Sequence, residues 1–270
     1  MGTAVFVHAH PDDEAIATAG AMMQGVDLGH RVVVVCATDG AVGEAHESKI
    51  PDGSTLGEVR RQEMHAAAEI MGLHRVAWLG YRDSGMNGEP TNDDPDSFWQ
   101  ADVDEAGERL AEILREESAD LLTIYDEIGG YHHPDHIQVH RVGKRAAELA
   151  GTRLVFESTM NREQMKSFAD DPSFGDMDLS EEEQEIARAE FRSQEFGTHA
   201  AQITHAVDAT PWIERKRAAM AAHHSQIDED TFFLQLPDEA FATAFGTEWF
   251  VRHGATRVGE PYETDIYADL

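Results

Sequence analysis

Short apolar runs alternate along this chain with longer segments in which apolar and polar positions are mixed. Each run has four or five residues, the length of a buried strand, and the mixed segments have the length and spacing of helices. The predicted strands are residues 4–7, 32–36, 76–79, 121–125 and 154–158. The predicted helices are residues 13–24, 56–71, 102–117, 135–149 and 211–223. Three glycines follow helical patterns, where a left-handed cap favours glycine: Gly29, Gly72 and Gly151. Strands separated by helices indicate βαβ units, so we expect an α/β fold with a mostly parallel sheet.

The pattern changes after residue 158. Residues 170–175 are typical of a loop, and Ser180 with the glutamates after it predicts the capped start of a surface helix. Apolar runs at 232–234 and 249–251 indicate that order resumes in the tail. The expected parts are a main α/β core over 1–160, a helical insertion or lid over 161–198, and a segment over 199–270 that completes the same domain.

The charge balance is strongly acidic, with 52 Asp and Glu residues against 21 Lys and Arg residues and a formal net charge of −31. Such a surface repels phosphate backbones and anionic lipids, so we expect neither nucleic acid nor a membrane as a partner. We interpret most of the acidic residues as a solvated surface. The alternative interpretation is adaptation to high salt. No apolar stretch approaches the length of a membrane span, and one cysteine, Cys36, excludes a disulfide framework. We expect a cytoplasmic protein, either monomeric or homo-oligomeric, with Cys36 as a buried thiol.

Two clusters of histidine and carboxylate residues follow predicted strands. Residues 10–14 have the sequence His-Pro-Asp-Asp-Glu and come after the first strand. Residues 132–136 have the sequence His-His-Pro-Asp-His and follow the strand at 121–125. Ligands in open α/β sheets bind outside the carboxyl ends of the strands, where two such clusters can meet. Together the clusters predict a metal site assembled across the sheet.

The candidate metal ligands are His10, Asp13 and His136. Zinc in hydrolases usually takes three protein ligands from histidine and carboxylate residues and keeps one position for water. His10 and Asp13 are three residues apart, across one turn, and His136 supplies a ligand from the other strand end. Asp12, between the first two ligands, is the candidate general base. Zinc is the expected ion, and Fe(II) is compatible with such a mixed site.

Three further residues are candidates for assisting catalysis. His133 lies one turn before His136, with Asp135 between them. A histidine held by a carboxylate stays oriented, and its protonated form is stabilised. Such a histidine can stabilise an oxyanion or protonate a leaving amine. Tyr131 follows two glycines, whose backbone freedom can bring its hydroxyl inward.

Each cluster alone has a simpler explanation. A lone His-x-x-Asp is more often a helix start with an acidic first turn, and Glu14 is most simply a first-turn carboxylate or a support for a ligand. We expect His8 at a strand end, His140 on a helix face, and the pair His223-His224 in packing or on the surface. The two clusters together favour the metal site.

The motif at residues 10–14, combined with His-Pro-Asp-His at 133–136, resembles the LmbE/PIG-L family of zinc-dependent N-deacetylases. Segments 80–86 and 125–136 also resemble its mycothiol-pathway branch, which contains a deacetylase and an amidase. The resemblance implies a Rossmann-like sheet and hydrolysis of an acetamido group on an amino sugar. It also implies the same ligands and base as above, with His133 and Asp135 assisting the oxyanion and the leaving group.

By the same resemblance, four residues line a sugar pocket: Glu44, Arg60, Asp83 and Met86. Asp83 lies in a loop, where a carboxylate can accept sugar hydroxyls. Arg60 has an alternative explanation as a solvated helix residue paired with Glu63. The amidase branch tends to carry a lysine early in the first helix, whereas residues 15–18 here are Ala-Ile-Ala-Thr.

The sequence therefore predicts a zinc-dependent hydrolase that removes the N-acetyl group from an N-acetylglucosaminyl conjugate, a small molecule. The alternatives are an amidase acting on a larger thiol–sugar conjugate and a non-catalytic sugar-binding or metal-binding protein. Asp12 separates the last alternative from the other two, because a binding protein needs no base beside its metal.

The acidic surface leads to a prediction about salt. Repulsion at a net charge of −31 opposes the compact state, and the Debye length falls from about 10 Å at 0.1 M salt to about 3 Å at 1 M. We expect the melting temperature to rise between low salt and molar sodium chloride. A flat or falling temperature would show that arginines already offset the acids; candidates are Arg60, Arg61, Arg188 and Arg192.

Overall fold

The computed structural model describes residues 1–45, 47–168, 181–257 and 261–270. Its strands are β1 (Thr3–His8), β2 (Arg31–Thr38), β3 (Arg75–Tyr81), β4 (Leu121–Tyr125), β5 (Leu154–Thr159), β6 (His205–Asp208) and β7 (Thr247–Arg252). They form a seven-stranded sheet in the order β3-β2-β1-β4-β5-β7-β6. Strands β1 to β5 are parallel, and β7 runs antiparallel to both β5 and β6. The predicted α/β class and mostly parallel sheet are confirmed.

Helices cover both faces of this sheet. They are α1 (Asp13–Ala17), α2 (Ala19–Asp27), α3 (Leu56–Met71), α4 (Val103–Glu116), α5 (Gly129–His132), α6 (Pro134–Ala150), α7 (Arg162–Phe168), α8 (Glu181–Ser193), α9 (Ile213–Ala222), α10 (Phe232–Gln235) and α11 (Asp238–Phe245). Alternate residues of β1 serve the two faces: Phe6 packs into the core with α2, α3 and α9, and Val5 packs into the core with α4 and α6. The period-two alternation of a strand explains why β1 is apolar throughout.

Local signals fix the helix that packs beside the first cluster. Thr55 caps α3, because its side chain accepts from the Glu58 N–H at 3.2 Å while the Glu58 carboxylate accepts from the Thr55 N–H at 2.8 Å. Gly72 ends the helix in the left-handed conformation, with φ 76°. This capping box and glycine cap explain why the predicted bounds of α3 match the observed ones.

The helix predicted over residues 13–24 is broken in two. Thr18 separates α1 from α2 with φ −141° and ψ 8°, and its hydroxyl lies 2.8 Å from Nε2 of His8. The break therefore coincides with a tertiary contact, between Thr18 and His8. Nothing in the sequence of residues 13–24 predicts this contact. It ends α1 after five residues, so this helix is essentially the turn that carries the first cluster.

The division into three parts stays a prediction. The ends of the expected insertion lie together, since the Arg162 N–H donates to the Thr198 carbonyl at 3.0 Å. The loop predicted over 170–175 and the cap at Ser180 lie outside the described residues. Cys36 is buried in β2 as expected. Among the residues described, none of the helices combines the length and the apolar character needed to cross a membrane.

Candidate active site

The two clusters meet at the carboxyl ends of β1 and β4, which are neighbours in the sheet. The strand order runs outward through β2 on one side of β1 and through β5 on the far side of β4. Such a reversal opens a crevice at the strand ends, which is where ligands bind in this class of fold. His10, after β1, and His136, in the first turn of α6, are both buried there, with exposed fractions of 7% and 2%.

The Asp13 carboxylate lies between two imidazoles. Its Oδ2 is 3.4 Å from Nδ1 of His10 and 3.4 Å from Nε2 of His136. The same oxygen accepts from the His10 backbone N–H at 2.9 Å, which fixes its position in the turn. The structure therefore brings the three predicted ligands together around one oxygen atom.

More donors surround His10 than one ion needs. Among the described residues, two sets of donor atoms lie within 4.8 Å of one another: His10, His133 and His136 in one set, and His10, Asp83 and Asp135 in the other. Nitrogen and carboxylate oxygen donors of this kind suit a divalent ion such as zinc. Asp13, with Oδ2 at 3.4 Å from both His10 and His136, adds a carboxylate donor outside these two sets, and the residues present fit a metal ion.

The electrostatics of the cluster also suit a cation. Burial would raise the pKa of Asp13, but the imidazoles of His136 and His10 outweigh it and hold this pKa well below its usual range. Burial would lower the pKa of His10, but the carboxylates of Asp13, Asp135 and Asp83 raise it well above its usual range. The site thus stabilises positive charge at its centre, and a bound divalent ion would provide that charge.

Asp12 stands beside these donors in an unusual backbone conformation. Its φ is 111° and its ψ is −33°, a region that L-residues rarely adopt. Its Oδ1 lies 3.3 Å from Nη2 of Arg60, so this carboxylate is paired with a cation. Burial raises the pKa of Asp12 to about 6 despite the opposing charge of Arg60. A carboxyl group with a pKa closer to neutrality suits a general base.

The two glycines before Tyr131 adopt positive φ angles, which their backbone freedom allows. Gly129 and Gly130 have φ values of 63° and 74°, and a Cβ on Gly129 would lie 2.5 Å from Cβ of His136. The chain can therefore turn tightly against α6. The Tyr131 hydroxyl lies 3.5 Å from Nε2 of His136, and the side chain is 38% exposed at the edge of the site.

His133 and Asp135 are paired differently from the expectation. Nδ1 of His133 accepts from the Asp135 backbone N–H at 3.1 Å, which caps α6. The Asp135 carboxylate instead lies 3.2 Å from Nε2 of His10 and accepts from the Ser84 N–H at 3.0 Å and from the Ser84 hydroxyl. Burial, with the charges on His10 and His136, lowers the pKa of His133 to about 2. Because Nδ1 accepts this hydrogen bond, the proton of a neutral His133 imidazole lies on Nε2, and the Asp135 carboxylate contacts His10 instead of His133.

Two of the predicted sugar-pocket residues are committed to other groups. Arg60 is 4% exposed, and its guanidinium donates to the carbonyls of Pro11 at 2.6 Å and Gly40 at 2.8 Å. The alternative of a solvated Arg60–Glu63 pair is therefore wrong. Asp83 is 6% exposed and accepts from the backbone N–H of Val42 and of Gly85, each at 2.9 Å.

The other two predicted pocket residues remain open to a ligand. Glu44 is exposed, and the Met86 side chain is 52% exposed. Their loops are tied to the site region, since Val42 is bound by Asp83 and the Glu44 carbonyl accepts from Nε2 of Gln226 at 3.1 Å. The structure thus separates the four residues into two that are buried, Arg60 and Asp83, and two that are exposed, Glu44 and Met86.

The segment that follows α9 contacts the turn after β1 and helix α3, which the sequence did not predict. His223 is fully buried, and its Nε2 lies 2.6 Å from Oε1 of Glu14. The next residues contact Glu63 of α3: His224 through its ring, and Ser225 through its N–H at 2.8 Å and its hydroxyl at 2.7 Å. The only sequence signal is the adjacent pair of histidines, because no spacing rule connects positions 14 and 223.

Comparisons with known proteins agree with this geometry. The sequence profile of the PIG-L family, described as GlcNAc-PI de-N-acetylase, matches residues 5–147. A 1D-myo-inositol 2-acetamido-2-deoxy-alpha-D-glucopyranoside deacetylase from Nocardiopsis dassonvillei is 36% identical, with 98% of this chain and 100% of that protein covered.

Solved structures share the fold. The N,N'-diacetylchitobiose deacetylase from Pyrococcus horikoshii has a TM-score of 0.53 and 24% identity, with 89% of this chain and 73% of that one covered. The 4-carboxy-2-hydroxymuconate hydratase from Pseudomonas putida KT2440 has a TM-score of 0.54 and 19% identity, with 97% and 99% covered. Because a hydratase shares the architecture, the fold alone does not fix the reaction.

The backbone at Asp12 gives a prediction about stability. A non-glycine residue in such a conformation costs on the order of 1–3 kcal/mol. Asp12→Gly and Asp12→Ala remove the same carboxylate, but glycine also relieves the strain. In the metal-free protein, we expect the free energy of unfolding of the glycine variant to exceed that of the alanine variant by about 1 kcal/mol or more. Urea denaturation measures this difference.

The matched control is exposed Asp104 in the first turn of α4, where glycine should be less stable than alanine by up to about 1 kcal/mol. An alanine variant of Asp12 as stable as its glycine counterpart would contradict the strained conformation.

Proposed function

The chain belongs to the PIG-L family of de-N-acetylases, and we propose that it hydrolyses the acetamide of an N-acetylglucosaminyl conjugate. The observation that carries the proposal is the Asp13 carboxylate between His10 and His136, with a separate carboxylate, Asp12, beside it. A protein that only binds a sugar or a metal has no need of that second carboxylate. The amidase alternative gains no support, because the relative matched over its full length is named as a deacetylase.

The proposed ligands are His10, Asp13 and His136, with zinc as the ion and Fe(II) as the alternative. Support comes from the shared 3.4 Å distance of the two imidazoles from one Asp13 oxygen. Asp83 and Asp135 are less suitable, since both oxygens of each carboxylate already accept hydrogen bonds from backbone N–H groups or the Ser84 hydroxyl, whereas the backbone hydrogen bond to Asp13 uses Oδ2. A divalent ion bound there supplies Lewis acidity toward the amide carbonyl and acidifies water.

The protein's own groups account for the proton transfers. Asp12 accepts a proton from the attacking water, and Arg60 keeps its carboxylate oriented. The Nε2–H of His133 and the hydroxyl of Tyr131 donate hydrogen bonds to the oxyanion that forms at the acetyl carbon. The amide C–N bond then breaks, the nitrogen takes the proton from Asp12, and acetic acid and the free amine leave; the acid ionises to acetate in solution.

The proposed substrate is a small amino-sugar conjugate with inositol as the second half. The full-length relative is named for that compound, and a neutral disaccharide suits a strongly acidic protein. Glu44 and Met86, which are exposed beside the site, are proposed to contact it. The choice of substrate is tested by measuring acetate release from N-acetylglucosaminyl-inositol, N-acetylglucosamine and N,N'-diacetylchitobiose. If the protein hydrolyses none of these three compounds, the proposal is contradicted.

The division of labour between base and ligands can be tested by substitution. Asp12→Asn should bind as much zinc as the wild type but lower kcat by roughly 100-fold or more, because an amide cannot accept the proton from water. His136→Ala is the matched contrast and should lose most of the metal along with activity. Metal per chain, measured by elemental analysis, and acetate release are the two readouts. Near-normal turnover by Asp12→Asn would remove Asp12 from the mechanism.

A further inference from the structure

A chain of buried hydrogen bonds connects the strained residue Asp12 to the far end of the sequence. The Asp12 N–H donates to Oε2 of Glu14 at 2.9 Å, and Oε1 of Glu14 lies 2.6 Å from Nε2 of His223. Glu14 and His223 are both fully buried. Nδ1 of His223 has no hydrogen-bond partner among the described residues. Within that part of the chain, the ring is therefore held by its Nε2 contact with Glu14.

His223 is itself held on a firm support. It caps the end of α9, which packs along α3, and its carbonyl accepts from the N–H groups of Gln226 at 2.9 Å and Ile227 at 2.7 Å. Two residues on, Ser225 is bound twice by Glu63 of α3. Hydrogen bonds at the His223 carbonyl and at Ser225 therefore fix the backbone that carries the imidazole.

Helix α3 holds the same turn from the opposite direction. Arg60, one turn before Glu63, donates to the Pro11 carbonyl at 2.6 Å and lies 3.3 Å from the Asp12 carboxylate. Asp12 is thus held at its side chain by Arg60 and at its N–H by Glu14. Without a fixed Glu14, the N–H would lose its acceptor, and the backbone could relax toward an ordinary φ.

We propose that His223 is a positioning residue for the hydrolysis: through Glu14 it fixes the Asp12 peptide, and with it the direction of the Asp12 carboxylate. The inference rests on the proposed function, in which Asp12 is the general base. His223 lies outside residues 5–147, the part matched by the family profile. The C-terminal part of the chain therefore completes the catalytic turn as well as the core.

Two substitutions separate positioning from simple packing. The amide nitrogen of glutamine reaches about as far as Nε2 of histidine, so His223→Gln can still donate to Glu14, whereas the shorter His223→Asn cannot. In the zinc-loaded enzyme, His223→Asn should lower kcat about 10- to 100-fold, with KM changed by less than about threefold and full metal content. His223→Gln should restore most of the loss.

His30 provides the control. It is also a buried histidine, and its Nδ1 accepts from the Gly2 N–H at 3.0 Å, at the end of β1 opposite the site. His30→Asn should leave kcat, KM and metal content unchanged. Equal kcat for His223→Asn and the wild type, equal losses for the asparagine and glutamine variants of His223, or a loss of metal that matches the loss of activity would each overturn the proposal.

A crystal structure of metal-free His223→Asn gives a readout independent of activity. The positioning role predicts that φ of Asp12 leaves the positive region and that the Asp12 N–H separates from Glu14. An unchanged φ near 111° with the Glu14 contact retained would overturn it. Failure of the wild type to deacetylate any substrate would instead contradict the proposed function, and the crystal structure would still decide the role of His223.

Discussion

The contact on which the site depends is the Asp13 carboxylate between the imidazoles of His10 and His136. It joins two loops that leave adjacent parallel strands and that lie more than a hundred residues apart in the sequence. Burying these three groups is unfavourable unless each is paired. The turn after β1 and the start of α6 are therefore fixed relative to each other by charge as well as by the packing of the sheet.

The surrounding groups extend the same principle outward. Asp83 and Asp135 face His10, and their oxygens also accept from backbone N–H groups and from the Ser84 hydroxyl. Arg60 and Glu14 hold the turn that carries Asp12. Because these buried carboxylates are paired with imidazoles, Arg60 or backbone groups, the protein itself sets their positions, as preorganised catalysis requires.

The sequence was most informative where one local rule decides the structure. The apolar runs predicted β1 to β5, the helical spacing ending at Gly72 predicted α3, and the two histidine–carboxylate clusters predicted the residues around Asp13. It was least informative where distant contacts decide. The first helix is interrupted at Thr18, whose hydroxyl contacts His8, and His133 accepts from a backbone N–H while the Asp135 carboxylate contacts His10. The partners of Glu14 and Glu63 lie some 160 to 210 positions away, beyond any spacing rule.

The most direct test of the account is the position of the ion in crystals of the zinc-loaded protein, located by anomalous diffraction at the zinc edge. We predict one zinc ion per chain, bound by Asp13 and by the imidazoles of His10 and His136, with the Asp12 carboxylate outside the ligand set. An ion bound instead by His10, Asp83 and Asp135 would contradict the assignment of ligands. An ion bound directly by Asp12 would contradict its role as the base.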